Sequence, residues 1–163
     1  MTTKVAATLD FAAPVATVWT LLSDPGYLDY KRAHVGSFDL KIAENGDHTQ
    51  LTFTRPISAE LPGPAAAILG SQAHIVETQD WSAAAADGSR SAELSILVGQ
   101  APAKISGTAT LSPTATGTHI TIELSISVSI PLFGGTAEQM IKSELEKHID
   151  AEQRLGAEWL AQK

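Results

Sequence analysis

The sequence predicts an α+β fold in which one antiparallel sheet of seven strands is covered by a long C-terminal helix laid over a cavity. Three observations carry this prediction. From Ile120 to Ile130 every even residue is aliphatic and the odd ones are polar, and only a period of two puts such a set on one face of a strand. From about Thr136 to the end, Ala137, Ile141, Leu145, His148, Glu152, Leu155, Gly156 and Trp159 fall on one helical face at about 100° per residue. Before that helix six strand-like segments follow one another with short turns, which implies antiparallel neighbours, each with an apolar face that needs a cover.

In chain order, the first strand alternates at Val5, Ala7, Leu9 and Phe11 and stops at Pro14, a residue suited to the first position of a helix. Val15, Val18, Trp19 and Leu22 then follow at helical spacing, ending at Ser23-Asp24. Asp24-Pro25-Gly26 reads as a second helix start, with Asp24 as N-cap and the helix running through Tyr27, Leu28, Tyr30 and Lys31 to about Ala33. Phe38, Leu40 and Ile42, a turn over Glu44–Asp47, then Leu51 and Phe53 form a hairpin signalled by Asn45-Gly46. The Pro56–Gly70 connection holds three prolines around an apolar centre at Ala65–Leu69. Proline lacks the donor a ladder needs, so no regular strand is expected there. The next strand runs from Gln72 to Trp81. Ala92, Leu94, Ile96 and Val98 mark another, and Ile105, Gly107, Ala109 and Leu111 another. Ser112–Gly117 turns the chain into the strand at Thr118. Thr136 with Gln139 three residues on has the form of a capping box, and Glu138 suits the positive end of a helix.

With 163 residues and 44% hydrophobic against 18% charged content, the chain reads as a single domain, 1–163, that buries about 70% of the surface its unfolded form exposes. A formal net charge of −7 repels phosphate and anionic lipid and argues against nucleic-acid binding. The absence of cysteine excludes disulfides and thiolate chemistry. No apolar run reaches the roughly 18 residues of a membrane span, and the N-terminus lacks a signal-peptide pattern. A cytoplasmic protein without stable membrane insertion is the expectation; oligomeric state is left open.

The element order, the segment Pro14-Val-Ala-Thr-Val-Trp-Thr-Leu-Leu-Ser-Asp-Pro25 and the closing Ile130-Pro-Leu-Phe-Gly-Gly135 before a long helix resemble the START-like, birch-pollen-allergen-like superfamily, also called the polyketide cyclase and lipid-transfer (SRPBCC) superfamily. Within it, Leu22-Ser-Asp-Pro-Gly-Tyr-Leu28 and the Pro-rich connection look most like a bacterial family of domains of unknown function. The resemblance covers the whole chain and implies a helix-grip architecture, a curved sheet gripping the last helix around an apolar cavity. It brings no shared catalytic motif.

His148 and Glu152 are the sharpest internal anomaly, two ionisable residues one turn apart in an apolar stripe. A cavity-facing carboxylate there would raise the imidazole pKa and orient the ring toward a ligand oxygen. Two ligands alone do not make a metal site. Arg55 closes the face of Leu51 and Phe53, and Glu77 with Gln79 shares a face with Ile75 and Trp81 if that strand is read on its odd positions. Polar groups so placed fix ligand orientation in an apolar pocket, whereas at a rim they only meet water. Tyr27 and Tyr30 can line an entrance with wet hydroxyls. Gly156 inside the helix implies a close approach by the first helix or a ligand. With Ile141, Leu145, Trp159 and the gate residue Leu69, these give the expected ligand-binding set of Tyr27, Arg55, Leu69, Glu77, Ile141, Leu145, His148, Glu152 and Trp159. No catalytic residue, cofactor or metal is assigned.

The sequence-based expectation is therefore a carrier or sensor of a small apolar molecule or lipid, with the Pro56–Gly70 segment as gate or as core. The alternatives are a cyclase- or hydratase-type enzyme with His148 as general acid/base and Glu152 as its orienter, and a protein-interaction module.

Overall fold

The structure, a computed structural model, describes residues 2–56, 74–99 and 101–162. In order these form β1 (Thr3–Phe11), α1 (Val15–Leu21), α2 (Pro25–Val35), β2 (Asp39–Asn45), β3 (His48–Pro56), β4 (His74–Trp81), β5 (Arg90–Val98), β6 (Ala103–Pro113), β7 (Thr118–Val128) and α3 (Gly134–Ala161). The strands make one sheet in the order β1-β7-β6-β5-β4-β3-β2, antiparallel at every step, and α3 packs on β1 and β7. This is the helix-grip arrangement. Beyond Pro56 itself the expected gate, with Leu69, lies outside the described residues. No helix among the described residues is long and apolar enough to cross a membrane.

The order of the strands explains where the interior lies. β1 and β2 occupy opposite edges of the sheet, so α1 and α2, which join them, must carry the chain across its face. The sheet's inward residues follow the period of two: Ala92, Leu94, Ile96 and Val98 on β5, Ile105, Ala109 and Leu111 on β6, and Leu124, Ile126 and Val128 on β7 are buried. Ile126 and, on α3, Leu155 are fully excluded from water, each worth about 1.5–3 kcal/mol by transfer. On the edge strand β2 the pattern weakens, and Ile42, read as inward, is 47% exposed. The hairpin turns at Gly46-Asp47, with Asn45 paired to His48 and Gly46 at φ 68°, where a side chain would be strained.

α2 starts as expected. Asp24 Oδ1 accepts from the N–H groups of Gly26 at 2.8 Å and Tyr27 at 3.2 Å. At α3 the expected capping box is not made. The helix begins earlier, at Gly134, with Phe133 as N-cap and no side-chain cap. Gly134 permits this: a Cβ there would stand 2.7 Å from the Val128 carbonyl, so only glycine lets the helix begin against the strand end. The earlier start turns Glu138 inward, where it is 1% exposed and accepts from Thr3 Oγ1 at 2.8 Å and Val128 N at 3.0 Å. It pins the first turns of α3 to the ends of β1 and β7 instead of facing water at a helix terminus.

Those two donors, the Val128 N–H first and the Thr3 hydroxyl second, hold the Glu138 carboxyl below its usual range. A carboxylate whose pKa is depressed by folding contributes stability above its unfolded pKa and loses it as pH falls through the folded value. Glu138→Gln is expected to lower the urea midpoint at pH 7, with the gap to the parent narrowing as the pH falls below the carboxylate range. A gap of equal size at pH 7 and pH 2.5 would contradict this.

Candidate ligand-binding pocket

A pocket of about 180 Å³ opens between the inward face of the sheet and the three helices. Its apolar wall comes from strand positions that the alternation fixes, among them Leu94, Ile96, Ala109, Ile120 and Ile122, and from Leu145 and Ile149 on α3. Its polar wall is gathered from four elements. α2 supplies Tyr27 and Lys31, four residues apart and so on one helical face. β3 supplies Arg55, β4 supplies Glu77 and Gln79, and α3 supplies His148 and Glu152.

Lys31 is 9% exposed and is paired with Glu152. Its ammonium also lies 5.2 Å from the Phe38 ring centroid and 5.5 Å from that of Phe53, within cation–π range. Glu152 is thus taken by a cation from another helix, and His148 Nε2 is left 3.6 Å from it, beyond hydrogen-bond length. The ring turns to Arg55, whose Nη1 stands 2.7 Å from His148 Nδ1. A guanidinium can only donate, so Nδ1 is the acceptor and the imidazole carries its proton on Nε2.

The sequence-based expectation for this pair is therefore reversed. Burial first, then the Arg55 and Lys31 charges, push the His148 pKa down to about 3, and the ring is neutral where the Glu152 carboxylate was expected to raise it. On β4, Trp81 Nε1 donates to Gln79 Oε1 at 2.9 Å and Gln79 Nε2 donates to Glu77 Oε1 at 3.1 Å. Burial pushes the Glu77 carboxyl up, against the lowering effects of the Gln79 hydrogen bond and of Arg55.

Of the residues expected at the site, Tyr27, Arg55, Glu77, Leu145, His148 and Glu152 lie on the pocket wall. The odd-position register of β4 and the inward reading of Arg55 are what the pocket displays. Tyr27 does not have a wet hydroxyl: it is 4% exposed, and burial raises its pKa. Tyr30 instead donates to Glu158 Oε2 at 2.6 Å at the surface. Trp159 packs outside the pocket, edge-on to Tyr27 at 6.1 Å and against Tyr30 at 5.5 Å, where it joins α3 to α2. Ile141 is half-buried against the core and away from the pocket wall. Gly156 is closed upon by β1: a Cβ there would meet Phe11 Cε1 at 2.7 Å. Sequence reasoning missed Lys31, Phe38 and Phe53 as site residues. The available signal was the four-residue spacing of Lys31 from Tyr27. Among the described residues no group of three His, Asp or Glu is placed to hold a metal ion.

A family model described as "Protein of unknown function (DUF2505)" matches residues 6–160. An uncharacterized protein of Mycobacterium tuberculosis is 33% identical over 76 residues, 45% of this chain and 44% of that protein, so the match spans less than half the length of that curated relative. Among solved structures, a protein of Thermus thermophilus has a TM-score of 0.63 at 18% identity, covering 96% of this chain and 95% of its own. A Streptomyces aromatase/cyclase has a TM-score of 0.61 at 16% identity, covering 95% and 91%. Norcoclaurine synthase from Thalictrum flavum, in complex with dopamine and hydroxybenzaldehyde, has a TM-score of 0.53 at 20% identity, covering 97% and 88%. These likenesses establish the fold.

The electrostatics of the polar wall lead to a direct expectation. A histidine whose folded pKa lies below its ordinary 6.5 binds its proton more readily when unfolded, so stability falls as pH drops from about 6.5 toward the folded value near 3. Nitrogen-15 correlation spectra of the folded protein at pH 5 should show His148 neutral with the proton on Nε2. A ring titrating near 6.5 would contradict the arrangement.

Proposed function

The chain belongs to the DUF2505 family of proteins of unknown function, a membership that carries no activity with it, and from the pocket we propose that it binds a small, largely apolar molecule as a carrier or sensor. The observation that supports this is the pocket itself, a concavity under the long helix with a largely apolar lining and polar groups brought in from α2, β3, β4 and α3. That combination is what small-molecule sites have in common, apolar surface for affinity and sparse polar groups for orientation. The volume limits the guest. A dry cavity of about 150 Å³ accepts a benzene, so about 180 Å³ suits a single ring or a short branched chain. Structural neighbours include a synthase in complex with single-ring molecules, in keeping with a ligand of that size.

A cyclase- or hydratase-type enzyme using His148 and Glu152 has less support. The basic nitrogen of the ring faces Arg55, and the carboxylate that would orient the ring is bound to Lys31.

Toluene or indole at a free concentration about 100 times its Kd should stabilise the protein by about 2.7 kcal/mol, a rise of several degrees in Tm for a chain of this size. Ala109→Leu adds volume at the pocket wall and should abolish that rise, at a cost in intrinsic stability of about 1–3 kcal/mol for overpacking. An unchanged ligand response in this variant, or no response in the parent, overturns the proposal.

A further inference from the structure

Arg55 stands apart from the other charged groups of the pocket. Lys31 and Glu152 satisfy each other, whereas Arg55 has no carboxylate within ion-pair distance among the described residues and instead meets the imidazole of His148, at 2.7 Å from Nη1 to Nδ1 and 3.4 Å to Nε2. A guanidinium cannot lose its proton, and it carries five N–H donors in a planar fork. Facing an apolar cavity, such a charge is costly unless an anion meets it. The nearest protein carboxyl by register is Glu77: Phe53 pairs with Glu77 and Arg55 with Ile75, so Arg55 and Glu77 are diagonal neighbours on the inward face. Glu77 is engaged by Gln79, itself held by Trp81, and burial favours its neutral form. The imidazole acts as a clamp: it fixes one Nη1 donor and contributes no negative charge of its own.

We propose that the ligand is a carboxylic acid with a small apolar body, and that Arg55, oriented by His148 and flanked by Lys31, receives its carboxylate while the body lies against Leu145, Ile149 and the β6–β7 wall. A carboxylate matches the fork in two parallel hydrogen bonds, and the volume of about 180 Å³ leaves room for one ring beyond it. The inference rests on the pocket being a ligand site, as proposed above, and adds the charge and class of the ligand.

The experiment compares phenylacetate, its neutral isostere phenylacetamide and toluene by calorimetry at pH 7, where the acid is ionised. Phenylacetate should bind roughly tenfold or more tightly than the amide, the margin a charge-assisted hydrogen bond supplies over a neutral one. Arg55→Met should bring the two within about twofold of each other, and Arg55→Lys should keep part of the preference, since it retains the charge and loses the fork. Circular dichroism melts establish that each variant is folded. Toluene binding with no advantage for the acid over the amide overturns this inference alone. An acid preference that survives Arg55→Met overturns it as well, by placing the anion elsewhere. Failure of all three probes overturns both this inference and the ligand-site reading beneath it.

Discussion

Glu152 has two cationic or potentially cationic neighbours, and the arrangement of the interior follows from which one it holds. His148 lies one turn before it on the same helix, the ordinary geometry for a helical ion pair, yet Lys31 reaches across from α2 and takes the carboxylate. An ammonium keeps its charge on burial at far less cost when a carboxylate receives it, whereas an imidazole can stay neutral. With Glu152 engaged, the lowest-cost state of His148 is unprotonated, and its lone pair then becomes the natural acceptor for Arg55 on β3. The result is a polar bracket that links α2, α3 and β3 along the wall of the pocket. It also separates charge within the pocket, pairing one cation and leaving the other facing the cavity.

The apolar half depends on close approaches that only small residues permit. At Gly107 an added Cβ would lie 1.8 Å from the Glu123 carbonyl oxygen, so β6 and β7 meet there more tightly than any side chain allows. At Gly156 the ring of Phe11 occupies the space a Cβ would fill, which brings α3 down onto β1 at its C-terminal half. At the other end of the helix Glu138 fastens it to Thr3 and Val128. Held at both ends, α3 spans the sheet without collapsing into it. The space that remains lies between Leu145, Ile149 and the inward faces of β6 and β7.

Much of this was legible because it rests on local periodicity. The alternation of β7, the odd-position face of β4 and the Asp24 cap are each properties of a few adjacent residues, and the structure displays them as the sequence predicts. The misreadings concern partners distant in the chain. Glu138 looks like a dipole-compensating residue until Thr3 is placed beside it, 135 residues away in sequence. Trp159 shares the helical stripe with Leu145, but α2 lies against that part of α3, so the indole meets Tyr27 and Tyr30 instead of the pocket. The pKa of His148 depends first on its burial and then on Arg55 and Lys31, whose approach is set by the sheet and by the crossing of α2. The spacing of His148 from Glu152 was readable; the competition for Glu152 was not.

The central claim is that the space beneath α3 is a real apolar cavity open to a small guest. Xenon has no charge and no hydrogen-bonding capacity, and it occupies dry apolar cavities whatever their natural ligand. A crystal of the protein pressurised with xenon tests the claim most directly. The account predicts xenon bound inside the fold, in contact with Leu145, Ile149 and Ile122. Diffraction showing xenon only on the surface, with those side chains packed against one another, would contradict it.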